Sequence, residues 1–483
     1  MSTYPANYPE TPKYLWQQFY QLTQIPRPSG KEEKVRQYIL SIAEKNRLKT
    51  QVDTAGNVII YVPGKGVNKK SDTVIIQNHM DMVTDKTAAH SHDFDSDPLQ
   101  ISVSDGWISA CNTTLGADNG IGCAAALALL EEQNLDHPPL ELLFTVDEET
   151  GLNGALGLEA HFLCGKKLIN LDTEEWGSAY IGCAGGMEYN LNRNYELDST
   201  VLSNCTVKIG SLKGGHSGID IHRGRANAAK MLGQVLQIAQ QFSIRISGFH
   251  AGKAHNIIPR DAEVSFYLPT TLKADFEAAL NAQQSQWQDF LNTEDQNYSL
   301  ELISAEPSPC LTQSDSDAFI NMLSLFPHGA KNYYWQASEP LVSTSNNLAV
   351  IRLHEGKLFM QTSLRFFDRN EVRELEQTIS ALGKTFGLSV DTGGEYPSWK
   401  PDMNNPLIHK LKTVYQQKFN ETLQIKAIHA GLECGILTDK IGADLLAISF
   451  GPTIKGAHSP SESLDIESTR KFWQLLINFL KAL

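Results

Sequence analysis

The sequence has no uninterrupted apolar run of about 18 residues, so no membrane-spanning helix is expected. Residues 1–19, MSTYPANYPETPKYLWQQF, lack a basic segment followed by an apolar one, which argues against a secretory signal. Cysteine is scarce: seven residues, an odd number with no CxxC pair, fit a reducing compartment better than a disulfide framework. The cytoplasm is therefore the expected location. Positive charge is also short, with 41 Lys and Arg against 55 Asp and Glu and a formal charge of −14. Nucleic-acid binders need a basic face to neutralise phosphate, so neither a nucleic-acid nor a membrane partner is expected. Internal repeats and low-complexity tracts are missing as well.

What is present is 483 residues, 41% apolar and 20% charged, an ordinary globular composition too long for one comfortable core. Two or more domains are expected. The organising stretch runs from Leu140 to Asp172. Two strand-like runs, Leu140–Val146 and Lys167–Leu171, each end in acid: Asp147-Glu148-Glu149 and Asp172. Carboxylates gathered where buried strands stop destabilise the fold unless a cation neutralises them. A third strand, Thr73–Gln77, is β-branched from Thr73 to Ile76, as in strands buried on both faces, and leads into His79 and Asp81. With the small-residue helix Ile121–Glu132, this alternation predicts an α/β layer domain.

Ser29-Gly30-Lys31-Glu32 has capping-box spacing before a helical pattern. Gly182–Gly186 reads as flexible punctuation, with a second, α+β domain starting near Leu191. Gly393–Pro401 carries the turn residues of a return linker. The tail then resumes the first pattern with helix Leu407–Phe419, strand Leu445–Phe450, loop Gly451–Pro460 and helix Ser468–Ala482.

In a doubly wound sheet, ligands gather outside the carboxyl ends of the strands. His79, Glu149 and Asp172 each follow a predicted strand, Asp118 precedes a helix, and His458 follows the last strand. Taken singly, each has an ordinary reading, Asp118 as a turn or cap residue and His458 as a loop histidine. Taken together, two imidazoles and three carboxylates suit zinc, or manganese or cobalt. Five such ligands can hold two ions ~3.5–4 Å apart if one carboxylate bridges them. Asp81, two residues from His79, is placed to accept that ring's other N–H. Glu148 is the surplus carboxylate, and beside an ion-activated water it would be a general base.

The runs QNHMDMV, TTLGADNG, FTVDEETG, INLDTEE, KGGHSG, NIIP, HAGLECG and GPTIKGAHSP resemble the M20 clan of two-zinc aminoacylase and carboxypeptidase-type peptidases. The resemblance is strongest to its bacterial aminoacyl-histidine dipeptidase branch, and it spans about Tyr14 to Phe479. It implies a mixed-sheet α/β domain with helices on both faces, residues 1–190 and 394–483, holding two Zn2+ (or Co2+ or Mn2+). An α+β lid domain, residues 191–393, would be inserted. His79 and Asp172 would bind one ion, Glu149 and His458 the other, with Asp118 bridging and the Asp118–Asn119 peptide cis. Glu148 would deprotonate a metal-bridging water, with Asp81 orienting His79.

The same resemblance implies that His216 reaches the reacting carbonyl and that Asn256 and Arg365 engage the substrate's carboxylate end. Gly431 would line the pocket. Arg369 is a rival for the carboxylate, His429 a second candidate for substrate contact, and Glu433 has no assigned role. The implied substrates are small peptides, Xaa-His dipeptides such as β-alanyl-histidine among them, with N-acyl-amino-acid deacylation as the alternative. No sequence feature selects histidine as the leaving residue. Lid-mediated homodimers, common in the clan, are a further implication.

Overall fold

A computed structural model describes residues 4–132, 135–334, 340–442 and 444–483. The chain divides into two compact units. One comprises Met1–Cys183, Trp399–Ala427 and Leu432–Leu483, the other Ala184–Ser398 with Ile428–Gly431. Among the described residues, no helix is long and apolar enough to cross a membrane.

The first unit is built on an eight-stranded sheet, counted among the described residues. Its centre is parallel: Leu140–Thr145, Val74–His79, Lys167–Asn170 and Leu446–Phe450 lie side by side in that order. Lys49–Val52 and Val58–Val62 extend one side antiparallel, and Ser178–Cys183 extends the other. The central strands are buried on both faces, which is why they read as continuous apolar runs rather than alternating ones. Helix Ala117–Leu129 is buried along its length, and its run of small residues allows that close approach. The helix Ile466–Ala482 is capped by Asp465, whose carboxylate accepts from Ser468 N at 2.6 Å.

The second unit carries a nine-stranded antiparallel sheet among its described residues. Its main path runs Ser299–Ser304, Cys205–Gly210, Ala262–Tyr267, Arg245–Ala251, Leu341–His354, Lys357–Phe366, Gly185–Asn194 and Ser389–Tyr396. Gly329–Tyr334 pairs with Leu341–His354 beside this path. Helices Ala228–Gln240, Lys273–Phe290, Gln313–Leu325 and Arg373–Thr385 share one apolar core with that sheet, joining Leu232, Leu236, Phe276, Phe319 and Ile379 to Val207, Val264 and Leu364.

Three local expectations need correction. The Ser29–Glu32 spacing does not form a capping box: Ser29 donates to Asp81, while Glu32 accepts from Gly30 N and Asp147 N. Gly182–Gly186 does contain the boundary between the units, but as strand: Gly185 and Gly186 open a buried one, and the missing side chain at Gly186 lets Tyr396 pack against it. The chain returns to the first unit within the expected linker, at Trp399, although Gly393 and Gly394 still belong to the strand Ser389–Tyr396, which pairs with Gly185–Asn194 through a register shift. The second unit accordingly opens at Ala184 rather than near Leu191.

Candidate metal centre

The central parallel strands deliver acidic and imidazole side chains to one end of the sheet. His79 is the last residue of its strand, Asp172 follows Asn170, and Glu148 and Glu149 follow Thr145. Asp118 sits at the start of the Ala117–Leu129 helix and is joined to Asn119 by a cis peptide. His458 lies in the loop of a hairpin formed by Ile454–Lys455 and Ser463–Asp465.

These five side chains converge as two triads that share Asp118. His79 Nε2 stands 3.0 Å from Asp118 Oδ1 and 3.3 Å from Asp172 Oδ1. His458 Nε2 stands 3.1 Å from Asp118 Oδ2 and 3.2 Å from Glu149 Oε2. Each Asp118 oxygen therefore faces a different imidazole. Ligand atoms at the corners of a tetrahedron with ~2.0–2.1 Å bonds stand ~3.3 Å apart, so both triads have the spacing of a divalent cation's inner ligands. Glu149 Oε1 is buried with no hydrogen-bond partner among the described residues, as a ligand oxygen without its cation would be. The donor set, two imidazoles and three carboxylates, thus fits a pair of divalent ions of the zinc, manganese or cobalt class.

Electrostatics agree with that fit. Burial disfavours charge on His79, yet Asp172, Asp118 and Asp81 hold its pKa well above the usual imidazole range. Hydrogen bonds to Asp118 and Glu149 push His458 up to about 11. Burial raises Asp172 to about 6, with Asp118 adding repulsion. Burial likewise lifts Glu148 well above an ordinary carboxyl, His79 opposing and Asp172, Glu149 and Glu433 adding to it. In the absence of an ion, protons on the imidazoles supply the positive charge that the carboxylates require.

Asp81 ties this cluster together. Its Oδ1 lies 3.4 Å from His79 Nδ1 and accepts from Glu148 N at 3.1 Å. Its Oδ2 accepts from Glu149 N at 3.2 Å and from Ser29 Oγ at 2.7 Å. One fully buried carboxylate therefore orients the His79 ring and the backbone of both glutamates. Asn119 fixes Asp172, donating from Nδ2 to its Oδ1 and to Leu171 O. Glu148 has a carboxylate oxygen within 4.8 Å of ligand atoms of His79 and Glu149, at the edge of the cluster rather than inside either triad around Asp118.

Beneath the ligands runs a buried polar layer that the sequence did not disclose. Glu433 accepts from Gln77 Nε2 at 2.5 Å and from Thr145 Oγ1 at 2.8 Å. Gln77 Oε1 in turn accepts from Asn170, and Asn170 Oδ1 accepts from Ser449 Oγ and from Asp172 N. Burial, with the charges of Asp172 and Asp81 adding to it, raises Glu433 to about 8, so it is a neutral acid at pH 7. Polar residues inside strands otherwise continuous in apolar side chains, such as Gln77 and Asn170, were the available signal.

The second unit holds the other predicted residues as a separate group. His216 Nδ1 accepts from Gly218 N and Ile219 N, both at 3.2 Å, which leaves the ring's proton on Nε2. Burial and then Arg365 hold its pKa down near about 4, so the ring is a neutral donor. Asn256 and His216 both line a cavity of about 870 Å3, and the Asn256 carbonyl accepts from Ser217 N. Arg365, 5% exposed, donates to Tyr396 Oη at 2.9 Å and to Ser217 Oγ at 3.4 Å, and forms no ion pair among the described residues. Its rival Arg369 is already neutralised by Glu376 and Glu395. A Cβ at Gly431 would stand 2.8 Å from the Tyr396 ring, so this glycine makes room for the tyrosine that holds Arg365. His429 is buried against Ser345, Nε2 to Oγ 2.7 Å, with Nδ1 unpartnered among the described residues.

Residues 75–482 match the family model Peptidase family M20/M25/M40. The cytosol non-specific dipeptidase of Escherichia coli (strain K12) is 36% identical over 477 residues, covering 98% of each chain. The crystal structure of aminoacylhistidine dipeptidase from Vibrio alginolyticus superposes with a TM-score of 0.89 at 34% identity, covering 98% of this chain and 97% of that one. A Staphylococcus aureus tripeptidase shares the fold at a TM-score of 0.56 and 14% identity, over 97% of both chains. These two close relatives are both dipeptidases by name, and the match runs the length of the chain. The chain belongs to peptidase family M20/M25/M40.

Proposed function

We propose that this chain is a metal-dependent dipeptidase that holds two divalent ions, zinc first among them, on His79, Asp118, Glu149, Asp172 and His458. The observation that carries the reading is the shared Asp118, each of whose oxygens faces its own imidazole. Ions held there would supply Lewis acidity for a peptide carbonyl and a water acidified toward neutral pH. Glu148, a carboxylate at the edge of the cluster and outside both triads around Asp118, takes the proton of the attacking water and returns it to the leaving amine. Asp81 keeps the His79 ring and the Glu148–Glu149 backbone in register for this.

His216 donates from Nε2 to the oxygen that becomes negative as the carbonyl is attacked. Arg365, a buried guanidinium without an acidic partner among the described residues, pairs with the free carboxylate of the substrate, and Asn256 supports that end. A fixed carboxylate site favours very short peptides. Xaa-His dipeptides such as β-alanyl-histidine are the proposed substrates, with looser action on others, in keeping with the differing names of the two close relatives.

The test is the metal content of the purified protein, followed by a dipeptide panel with and without chelator. Two equivalents of ion and chelator-sensitive cleavage of carnosine are expected. Hydrolysis of N-acetylhistidine in preference to carnosine would instead mark a deacylase. Undiminished cleavage after complete metal removal would end the metal-dependent reading.

A further inference from the structure

The turn that carries Asp118 is gripped from two sides. Glu462 accepts from every backbone N–H between Leu115 and Asp118: Leu115 N at 2.7 Å and Gly116 N at 2.9 Å on Oε2, Ala117 N at 2.7 Å and Asp118 N at 3.3 Å on Oε1. On the carbonyl side, Arg27 donates to Gly116 O, and with its other terminal nitrogen to Met80 O at 2.9 Å and Asp81 O at 2.7 Å. Both side chains are 2% exposed. A carboxylate that spans four amide donors at a helix start forms charge-assisted bonds, roughly twice as strong as neutral ones.

The two triads depend on this grip to different degrees. His79 is fixed by its strand register and by Asp81, and Asp172 by its strand and by Asn119. Neither side chain hydrogen-bonds to Glu462, whose carboxylate accepts from the Leu115–Asp118 backbone. His458 has no such support. It sits in a left-handed conformation, φ 62°, in a hairpin loop closed by a two-residue ladder, with its side chain 52% exposed. Glu462 stands at the base of that same loop, and its own N–H donates to Ser459 O at 3.0 Å. The residue that sets Asp118 is thus covalently close to the residue that sets His458.

We propose that Glu462 is a positioning residue that couples the His458 loop to the Asp118 turn and so preassembles the Asp118–Glu149–His458 triad in preference to the His79–Asp118–Asp172 triad. The proposal rests on the reading of these triads as ion ligands. Removing the charge of Glu462 leaves Arg27 holding the Asp118 turn and His79 and Asp172 with their own supports, but it cuts the tie between that turn and the His458 loop. Loss of groups that orient metal ligands commonly costs about 10–100-fold in affinity.

The experiment is a Co2+ titration of chelator-stripped full-length protein, read by calorimetry and by the visible absorption of bound Co2+. Wild type is compared with Glu462→Gln, Glu462→Asp and His458→Ala. Wild type is expected to take up two equivalents. Glu462→Gln should keep one equivalent within about threefold of its wild-type affinity and weaken the other by about tenfold or more, with the residual spectrum approaching that of His458→Ala. Glu462→Asp, which keeps the charge at shorter reach, should fall between, and it carries the test alone if the glutamine variant does not fold. Equal weakening of both equivalents, or wild-type affinity for both in either variant, overturns the proposal. A wild type that binds no second equivalent overturns the two-ion reading itself, and this proposal with it.

Discussion

The two units gather different charge at their candidate sites. In the first, Asp118, Glu149, Asp172 and Glu148 crowd together against two imidazoles, while the buried Arg27 nearby is committed to backbone carbonyls. In the second, Arg365 is buried among neutral partners, Tyr396 and Ser217, while its neighbour Arg369 is fully paired on the surface. A folded chain tolerates an unbalanced buried charge only where a ligand balances it. On the proposed reading, divalent ions would offset the first deficit and a substrate carboxylate the second.

The largest expected effect comes from the carboxylate that belongs to neither triad. Glu148→Gln should lower kcat by about 10²–10⁴-fold while metal content, read by elemental analysis, stays at the wild-type level. A variant that lost metal as well would make Glu148 a ligand and erase the distinction between it and Glu149. Next comes the unpaired cation. Arg365→Gln should reduce kcat/KM on a dipeptide by about 10–100-fold, the worth of a charge-assisted contact, yet hardly change the slow reaction of the C-terminally amidated dipeptide. Arg369→Gln, which breaks an exposed pair, should stay within about threefold of wild type. If the two arginine variants behaved alike, the assignment of the anion deficit to Arg365 would fail.

The last effect concerns stability. In metal-free protein burial pushes the native Glu433 carboxyl up to about 8, whereas an ordinary glutamate titrates at about 4.3. Between those values the native state binds more protons than the unfolded state, so this group's contribution falls as pH rises. Glu433→Gln has no proton to lose. Its denaturation midpoint should gain on wild type steadily from pH 5 to pH 8, and a constant gap over that range would show that Glu433 titrates normally.

Much of the first unit was legible because its chemistry sits at strand ends, where apolar runs break into acid. His79, Glu149 and Asp172 follow directly from that rule, and Asp118 and His458 follow once a shared crevice is assumed. The second unit was harder for a physical reason. Its longest strand, Leu341–His354, carries Ser343, Thr344, Ser345, Asn346 and Asn347 in succession, all buried, with no apolar alternation to announce it. These residues find partners elsewhere in the chain: Asn347 donates to His255 O and Ile257 O, Asn346 to Pro327 O, and Ser345 meets His429. Pairings of that kind have no signature in a local window. Glu462 escaped notice likewise, since a glutamate in a polar loop after His458 looks solvated until its four amide partners are known.

The placement of Leu446–Phe450 between Lys167–Asn170 and Ser178–Cys183 has a bearing on synthesis. During translation, the sheet of the first unit has a gap at its middle until residues beyond 450 leave the ribosome. Until then two strand edges stand open, of the kind that invites pairing with other chains. His458 lies beyond that strand, so on the proposed reading a growing chain lacks a ligand of one triad until the strand that joins the two sides of its sheet has been made.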